Sequence, residues 1–214
     1  MKKSKIKTIV CILLVFSLLF CLCSCNKNRK YDEQEVKTAA EALLRKSIQL
    51  NTIYYGHGIN YISDRVGEGT YCEADPIHLS SLGFTTLEGL REKTLEVFTD
   101  SYSDLIFRTK LEPIMVDGQV IELSRYYQQY KNIQGTIPDC IMVNKEMKVI
   151  FDDRMTFDYE SLRVIGSEGD FVKLEIDVTV KNENGESKTL TLPVTLLEES
   201  DGWRIDNPVF ANYR

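Results

Sequence analysis

Few residues of this 214-residue chain have the types and spacing that catalysis requires. His57 and His78 are its two histidines, and either one beside Asp64 or Asp75 would make a general base. The histidine would be the base, and the neighbouring carboxylate would orient its imidazole ring. The chain has no nucleophile motif and no glycine-rich phosphate loop, so surface or loop histidines are the alternative interpretation.

Four of the six cysteines fall within the first 25 residues, which leaves Cys72 and Cys140 in the body of the chain. These two have neither CxxC nor Cys–His spacing, so we expect no zinc site. Asp152-Asp153 is not followed by further oxygen ligands at the spacing of a calcium loop, so we expect no other metal, and no cofactor is expected either. Outside the cytoplasm they are candidates for a disulfide. Two buried free thiols are equally consistent with their separation in sequence.

Tyrosine is the one residue type in suggestive surplus, with eleven copies. A tyrosine ring has an apolar face and a polar tip, which suits a groove that binds a sugar or a peptide. The same property suits half-buried positions at the edge of a core, which is the alternative. The residues that we predict to face a ligand are Tyr54, Tyr55, His57, Tyr126 and Tyr127.

The first 24 residues have the composition of an export signal. Four lysines, from Lys2 to Lys7, precede the apolar run Ile9–Leu22, which is interrupted only by Ser17. A run of about 14 residues matches the core of a secretory signal and falls short of the roughly 20 residues that a membrane-spanning helix needs. Residues 1–24 are therefore predicted to be a signal peptide.

The end of this run, Leu22-Cys23-Ser24-Cys25-Asn26, resembles the lipobox of bacterial lipoproteins. The resemblance implies that Cys25 is lipidated, because the small Ser24 precedes it. Cys21 and Cys23 fit less well, since bulky residues precede them. At about 0.8 kcal/mol per buried CH₂, two acyl chains such as palmitate hold a protein stably on a membrane. The alternative is an uncleaved anchor with these cysteines as thiols at the membrane edge.

The chain is acidic once the signal is removed. The signal takes four lysines with it, so 22 basic residues face 32 acidic ones and the net charge is about −10. Such a domain repels phosphates, which excludes nucleic acid as a partner. The lipidated cysteine and tether, residues 25–31, reach about 20 Å at most. The resemblance thus implies a domain, residues 32–214, held close to the extracytoplasmic face of the cell membrane.

Helices dominate the first half of the domain. Residues 32–55 place apolar side chains at three- and four-residue steps, which predicts an amphipathic helix that ends at Gly56. Thr85 with Glu88 three residues later predicts a capping box that opens a second helix. A shorter helix is predicted over residues 101–107.

The middle of the chain carries turn signals. Asp75-Pro76 predicts a turn. Asp117-Gly118 lies between two short apolar runs, which predicts a hairpin over residues 114–121, since this pair supplies the positive φ angles of a type I′ turn. Residues 125–158 hold no clear pattern, and their strand order stays open.

Strands dominate the last third of the domain. Residues 172–180 alternate apolar and charged side chains, which predicts a strand with one wet face. Residues 190–196 alternate again, and Asp201-Gly202 turns the chain into a final strand at Trp203. Pro193 interrupts the ladder of hydrogen bonds, so we predict a bulge or an edge position there.

Helices followed by an antiparallel meander predict an α+β fold in which N-terminal helices pack on a strongly twisted sheet. The N-terminal helices and the ending FVKLEIDVTVKNENGESKTLTLPVTLLEESDGWRID resemble the nuclear-transport-factor-2-like, or cystatin-like, roll of bacterial secreted proteins. The resemblance implies that the sheet wraps around the first helix. The side chains expected to fill that space are Leu43, Leu44, Leu174, Ile176, Leu192 and Val194.

Two functions fit this sequence. The first is a non-catalytic, membrane-anchored module that binds an envelope protein, a wall fragment or a small ligand. The second is a small isomerase, dehydratase or hydrolase with a carboxylate or a histidine in the cone of the roll, which rests on fold analogy. The segment around residues 85–107 also resembles a secreted inhibitor of cell-wall endopeptidases, so an inhibitor or regulator of wall hydrolases is a further alternative.

Overall fold

The structure of this protein is a computed structural model. It describes most of the chain after the predicted tether, namely residues 31–66, 69–130, 132, 139–151, 155–181 and 184–211. At residues 64–66 only the backbone is described. The predicted signal peptide and Cys25 lie outside the described residues.

The described residues form an α+β fold with antiparallel sheets, as predicted. The helices are α1 (Glu33–Tyr55), α2 (Pro76–Leu82), α3 (Leu87–Leu95) and α4 (Asp100–Lys110). The strands are β1 (Tyr61–Val66), β2 (Tyr71–Ala74), β3 (Ile114–Val116), β4 (Gln119–Glu122), β5 (Tyr126–Gln129), β6 (Cys140–Asn144), β7 (Thr156–Glu168), β8 (Phe171–Lys181), β9 (Ser187–Glu199) and β10 (Gly202–Ile205).

Helix α1 begins and ends where the sequence predicts. The Asp32 carboxylate accepts hydrogen bonds from the backbone N–H groups of Gln34 and Glu35, at 2.9 and 3.0 Å, which satisfies two donors that the first turn leaves free. The apolar stripe of α1 is buried, and Gly56 caps its C-terminus. None of the described helices combines the length and the apolar character that a bilayer-spanning helix requires.

The start signals of the next two helices differ from the prediction. Asp75-Pro76, predicted as a turn, opens helix α2, with Asp75 as N-cap and Pro76 in its first turn. Proline is well tolerated there because that N–H has no helical partner. The predicted capping box on Thr85 was wrong by one residue, since the N-cap of α3 is Thr86. Its third helical residue is Gly89, which has no side chain to complete the box.

The described strands form two four-stranded sheets and a separate hairpin, whereas the sequence pattern predicts one twisted sheet. The first sheet has the order β1-β2-β6-β5, and β5 and β6 come from the stretch that showed no pattern. The second sheet has the order β10-β9-β8-β7. Strands β3 and β4 pair only with each other.

The second sheet packs its apolar face against α1. On β8 the alternation is complete, with every second residue from Val172 to Val180 buried. Helix α1 contacts β7 and β10, which are the two edge strands, so the helix crosses the sheet. Leu192 is partly buried against this core. The other expected core residues are buried, namely Leu43, Leu44, Leu174, Ile176 and Val194.

Pro193 lies opposite Glu175 in an unbroken β8–β9 register, so the predicted bulge is absent from this described pairing. Its carbonyl oxygen accepts from Asn207 Nδ2 at 3.0 Å, on the side of β9 that β10 covers only at Leu196–Glu199. The N and O atoms of one strand residue point to the same side, so the absent N–H also faces this open edge. The position agrees with the predicted edge location, and no ladder donor is lost.

Candidate functional site

Tyr54 and Tyr126, both predicted to face a ligand, are fully buried. Tyr54 Oη lies 2.8 Å from Thr94 Oγ1, and burial raises the pKa of the phenol well above its usual range. Tyr126 Oη donates to the carbonyl oxygen of Ile53 at 2.7 Å and accepts from the backbone N–H of Ile59 at 3.1 Å. Both phenols therefore hold the C-terminal end of α1 in place, and this part of the predicted site was wrong.

Arg125 is the charged residue that sequence reasoning missed. Its side chain is buried, its Nε donates to Tyr126 Oη at 3.0 Å, and its Nη2 donates to the carbonyl oxygen of Gly56 at 2.5 Å. Gly56 is the C-cap of α1, where carbonyl groups lack helical partners and a cation is favourable. The Arg125 guanidinium thus fixes the segment before β5 to the end of α1.

The other residues of the predicted ligand-facing set lie apart. Tyr55 is half-buried at the end of α1, with the Lys110 ammonium 5.1 Å from the centre of its ring. His57 is exposed. Tyr127 is half-buried, with its ring 4.7 Å from that of Tyr71. The structure therefore does not assemble the five predicted residues into one surface.

The second histidine has a structural partner. His78 Nδ1 accepts the backbone N–H of Asn60 at 2.8 Å. The Asp75 carboxylate, proposed as its catalytic partner, instead accepts from the backbone N–H of Ile77 at the start of α2. The side chain of Asp64 lies outside the described residues.

Cys72 and Cys140 are free thiols in the structure. Cys72 lies opposite Val143 across β2 and β6, whereas Cys140 is three residues away from Val143 along β6. Successive side chains of a strand point to opposite faces, so this odd offset separates the two thiols. Burial raises the pKa of the Cys140 thiol, which keeps it protonated and weakly nucleophilic at neutral pH.

The interior between α1 and the second sheet is filled by aliphatic side chains such as Leu44, Ile176 and Val194. Among the described residues, no aspartate, glutamate or histidine is buried. Within the same ranges, no group of three His, Cys, Asp or Glu residues is arranged to hold a metal ion. The enzyme hypothesis expected a carboxylate or a histidine in this space, and the described part of the chain buries neither there.

A polar groove of about 610 Å³ lies between the N-terminal half of α1 and strand β7. Strand β7 bulges there: it advances from Asp158 to Arg163 while β8 advances only from Asp177 to Glu175. Ser161 Oγ holds the bulge, since it donates to the Asp158 carbonyl oxygen at 2.6 Å and accepts from Asp177 N–H at 2.8 Å.

Side chains that line the groove already contact one another. The bulge turns the Tyr159 ring toward α1, where Arg45 Cζ lies 4.0 Å from its centre. Arg45 Nη2 in turn donates to Glu41 Oε1 at 2.7 Å. The guanidinium therefore already covers the aromatic face that a ligand would need.

The most unusual surface is the hairpin of β3 and β4. Every residue from 112 to 123 is exposed, between buried Leu111 and buried Ser124. Asp117 and Gly118 have φ angles of 49° and 79°, which confirms the predicted turn. The exposed apolar side chains are Ile114, Met115, Val116, Val120, Ile121 and Leu123.

The base of this hairpin is fixed, and it lies at one end of α1. Arg125 N–H donates to the carbonyl oxygen of Lys110 at 2.7 Å, which joins the two chain segments that enter and leave the hairpin. Tyr31 lies at the other end of α1, with its ring 5.2 Å from that of Trp203. A helix of 23 residues is about 34 Å long, which separates Tyr31 from the hairpin.

Comparison with family models, with curated proteins and with solved structures finds no match to this chain.

Proposed function

We propose that this protein is a lipid-anchored, extracytoplasmic and non-catalytic module that binds a protein of the cell envelope through the β3–β4 hairpin. The observation that carries this function is the continuous exposure of residues 112–123, with six large apolar side chains in that short segment. Contiguous exposed apolar surface of this kind marks interaction sites in soluble domains.

The anchor rests on the sequence, and the position of Tyr31 adds a geometric argument. Tyr31 is packed on Trp203, and its Oη donates to the carbonyl oxygen of Gly169 at 3.2 Å. The folded domain therefore begins six residues after Cys25, which is about 20 Å of extended chain. A lipid on Cys25 would hold the Tyr31 end of α1 near the membrane and leave the hairpin end free to point away from it.

We also propose the cystatin-like roll as the finer description of the fold. Its support is the crossing of α1 over the second sheet, from β7 to β10, with an aliphatic core between them. An inhibitor or regulator of cell-wall hydrolases is a special case of the proposed function, in which the partner is a hydrolase.

Palmitate labelling of growing cells tests the anchor. Wild-type protein should carry the label, remain in the membrane fraction and be digested when protease is added outside the cytoplasmic membrane. Cys25→Ser should lose the label, whereas Cys72→Ser is the matched control and should keep it. Label that persists in Cys25→Ser, or wild-type protein in the cytosol, would overturn the proposal.

A further inference from the structure

We propose that the β3–β4 hairpin inserts into an apolar groove of its partner protein and that lysine or arginine side chains line the rim of that groove. This inference rests on the proposed function, and it specifies the chemistry of the partner.

The hairpin lacks the packing that such an element needs. A two-stranded hairpin on its own is marginally stable in water and is normally covered by further strands or by a helix. Here Met115, Val116 and Ile121 are 51, 53 and 64 per cent exposed, and they belong to both strands. The hairpin therefore has a large apolar area available for burial in a complex.

The base of the hairpin is rigid although its tip is exposed. Arg125 N–H donates to the Lys110 carbonyl oxygen, and the Arg125 carbonyl oxygen accepts from Asn144 N–H at 2.9 Å on β6. The buried Arg125 guanidinium adds its bond to Gly56. A partner therefore meets a hairpin whose two ends are already joined to the domain, which reduces the ordering cost of binding.

Charge identifies the rim of the groove. Residues 112–123 contain three acidic side chains, Glu112, Asp117 and Glu122, and no basic one. Lys110, at the base of the hairpin, is close enough to interact with Glu122, which leaves Glu112 and Asp117 as the carboxylates farther from it. A partner that buries the apolar side chains brings its own rim close to these carboxylates. Complementary charge at a rim speeds association and excludes wrong partners, so the rim is expected to be cationic.

The same charges disfavour the two other occupants. A second copy of the chain would place three carboxylates against three, and like charges across an interface oppose association. A bilayer would receive Asp117 at the tip, the part that enters first, and the hairpin has none of the tryptophan, tyrosine, lysine or arginine that elements at a membrane surface use.

Photo-crosslinking in growing cells identifies the occupant. The full-length lipidated protein carries benzoylphenylalanine in place of Ile121, and a matched protein carries it in place of Ile77, which is 81 per cent exposed on α2. Position 121 should give one protein adduct of fixed mass, and position 77 should not. An adduct with the mass of two copies, an adduct with lipid, or no difference between the two positions would overturn the inference.

The captured protein is then purified and its affinity for the detergent-solubilised full-length protein is measured. Charge reversal by Glu112→Lys with Glu122→Lys, which leaves the Asp117-Gly118 turn intact, should weaken binding at least tenfold, and so should raising the salt from about 0.05 to 0.5 M. Glu92→Lys, at an exposed position on α3, is the control and should leave affinity unchanged. An affinity that changes with neither the salt concentration nor the charge reversal would contradict a cationic rim.

The two levels of the proposal fail separately. If position 121 gives its protein adduct but binding changes with neither salt nor charge reversal, only the inference about a cationic rim fails. If the label and the surface location hold but no hairpin-specific adduct forms, the hairpin is not the binding element and the proposed function fails with the inference. If the chain is found unlipidated in the cytosol, the proposed function fails, whatever the hairpin binds.

Discussion

Arg125 and Tyr126 are neighbours in sequence whose side chains meet in the interior, with Arg125 Nε donating to Tyr126 Oη at 3.0 Å. The same phenol donates to the carbonyl oxygen of Ile53 and accepts from the backbone N–H of Ile59. The Tyr126 hydroxyl thus accepts two hydrogen bonds and donates one at the C-terminal end of α1. Since the Arg125 backbone also closes the base of the hairpin, this cluster links the hairpin to the core.

The first prediction is that Tyr126→Phe destabilises the protein by about 3 kcal/mol, since a buried polar group that loses its partner costs about 1–3 kcal/mol and three groups are affected. Equilibrium unfolding in urea measures the change. Tyr61→Phe is the matched control, because Tyr61 is 42 per cent exposed, and its midpoint should stay that of the wild type. Equal effects of the two substitutions would contradict the role given to Tyr126.

The second prediction concerns Gly58, whose φ is +80°. A Cβ atom there would lie 2.5 Å from Tyr126 Oη and 2.6 Å from Arg125 Nη2. An alanine would therefore displace the Tyr126 hydroxyl and the Arg125 guanidinium and break their hydrogen bonds. Gly58→Ala should cost more than about 3 kcal/mol, the sum of backbone strain and broken hydrogen bonds. Unfolding free energies from denaturant titration provide the test.

Gly69→Ala separates the two causes of that loss. Gly69 also has a positive φ, +63°, but a Cβ atom there meets nothing within 4 Å. In this control the free energy of unfolding should fall only by the strain of a left-handed residue, about 1–2 kcal/mol. If both alanine variants lose the same stability, the contacts of Gly58 have no energetic role.

The parts of the fold that could be predicted from the sequence are those in which local pattern and burial agree. Helix α1 has a cap, a stripe and a terminating glycine, and β8 alternates over its whole length. Strands β5 and β6 could not be predicted, because a connection of about ten residues separates them and neither shows alternation. Strand β5 is two tyrosines followed by two glutamines, and β6 is a short apolar run. Only the register of the folded sheet reveals them.

The candidate site was predicted in part and for a clear reason. Asp117-Gly118 predicted the hairpin, since turn chemistry is local. Its exposure was not predicted, because three consecutive apolar residues, Ile114, Met115 and Val116, are typical of a strand that is buried on both faces. The tyrosines were assigned to a surface because their type fits both a groove and a core edge, and only tertiary contacts distinguish the two.

The third prediction compares the same substitution at two isoleucines. Ile121 is 64 per cent exposed in the hairpin, and Ile141 is fully buried on β6. Ile141→Val should cost about 1 kcal/mol, the usual loss of one buried methylene group. Ile121→Val should stay within about 0.5 kcal/mol of the wild type, as surface substitutions do. Thermal or denaturant unfolding measures the stability of both variants. A similar loss of stability in Ile121→Val would show that the hairpin packs on the domain.

The last prediction is that stability falls steeply as pH rises above about 10. Burial raises the folded-state pKa of Tyr54, Tyr102 and Tyr126 above the usual value of 10.0. In that range the unfolded chain releases phenol protons that the folded chain retains, so each such tyrosine costs up to about 1.4 kcal/mol per pH unit. Lys110 acts in the opposite direction, because desolvation lowers its pKa and the unfolded chain holds that proton more tightly up to about 10.5.

Urea unfolding between pH 8 and pH 11, followed by phenolate absorbance, tests this balance. We expect Tyr54, Tyr102 and Tyr126 to ionise only with the unfolding transition. Tyr54→Phe should reduce the alkaline slope by one titrating group, although it also loses the bond to Thr94 and therefore starts from a lower stability. Ionisation of these three phenols near pH 10 while the protein stays folded would contradict the buried arrangement of their rings.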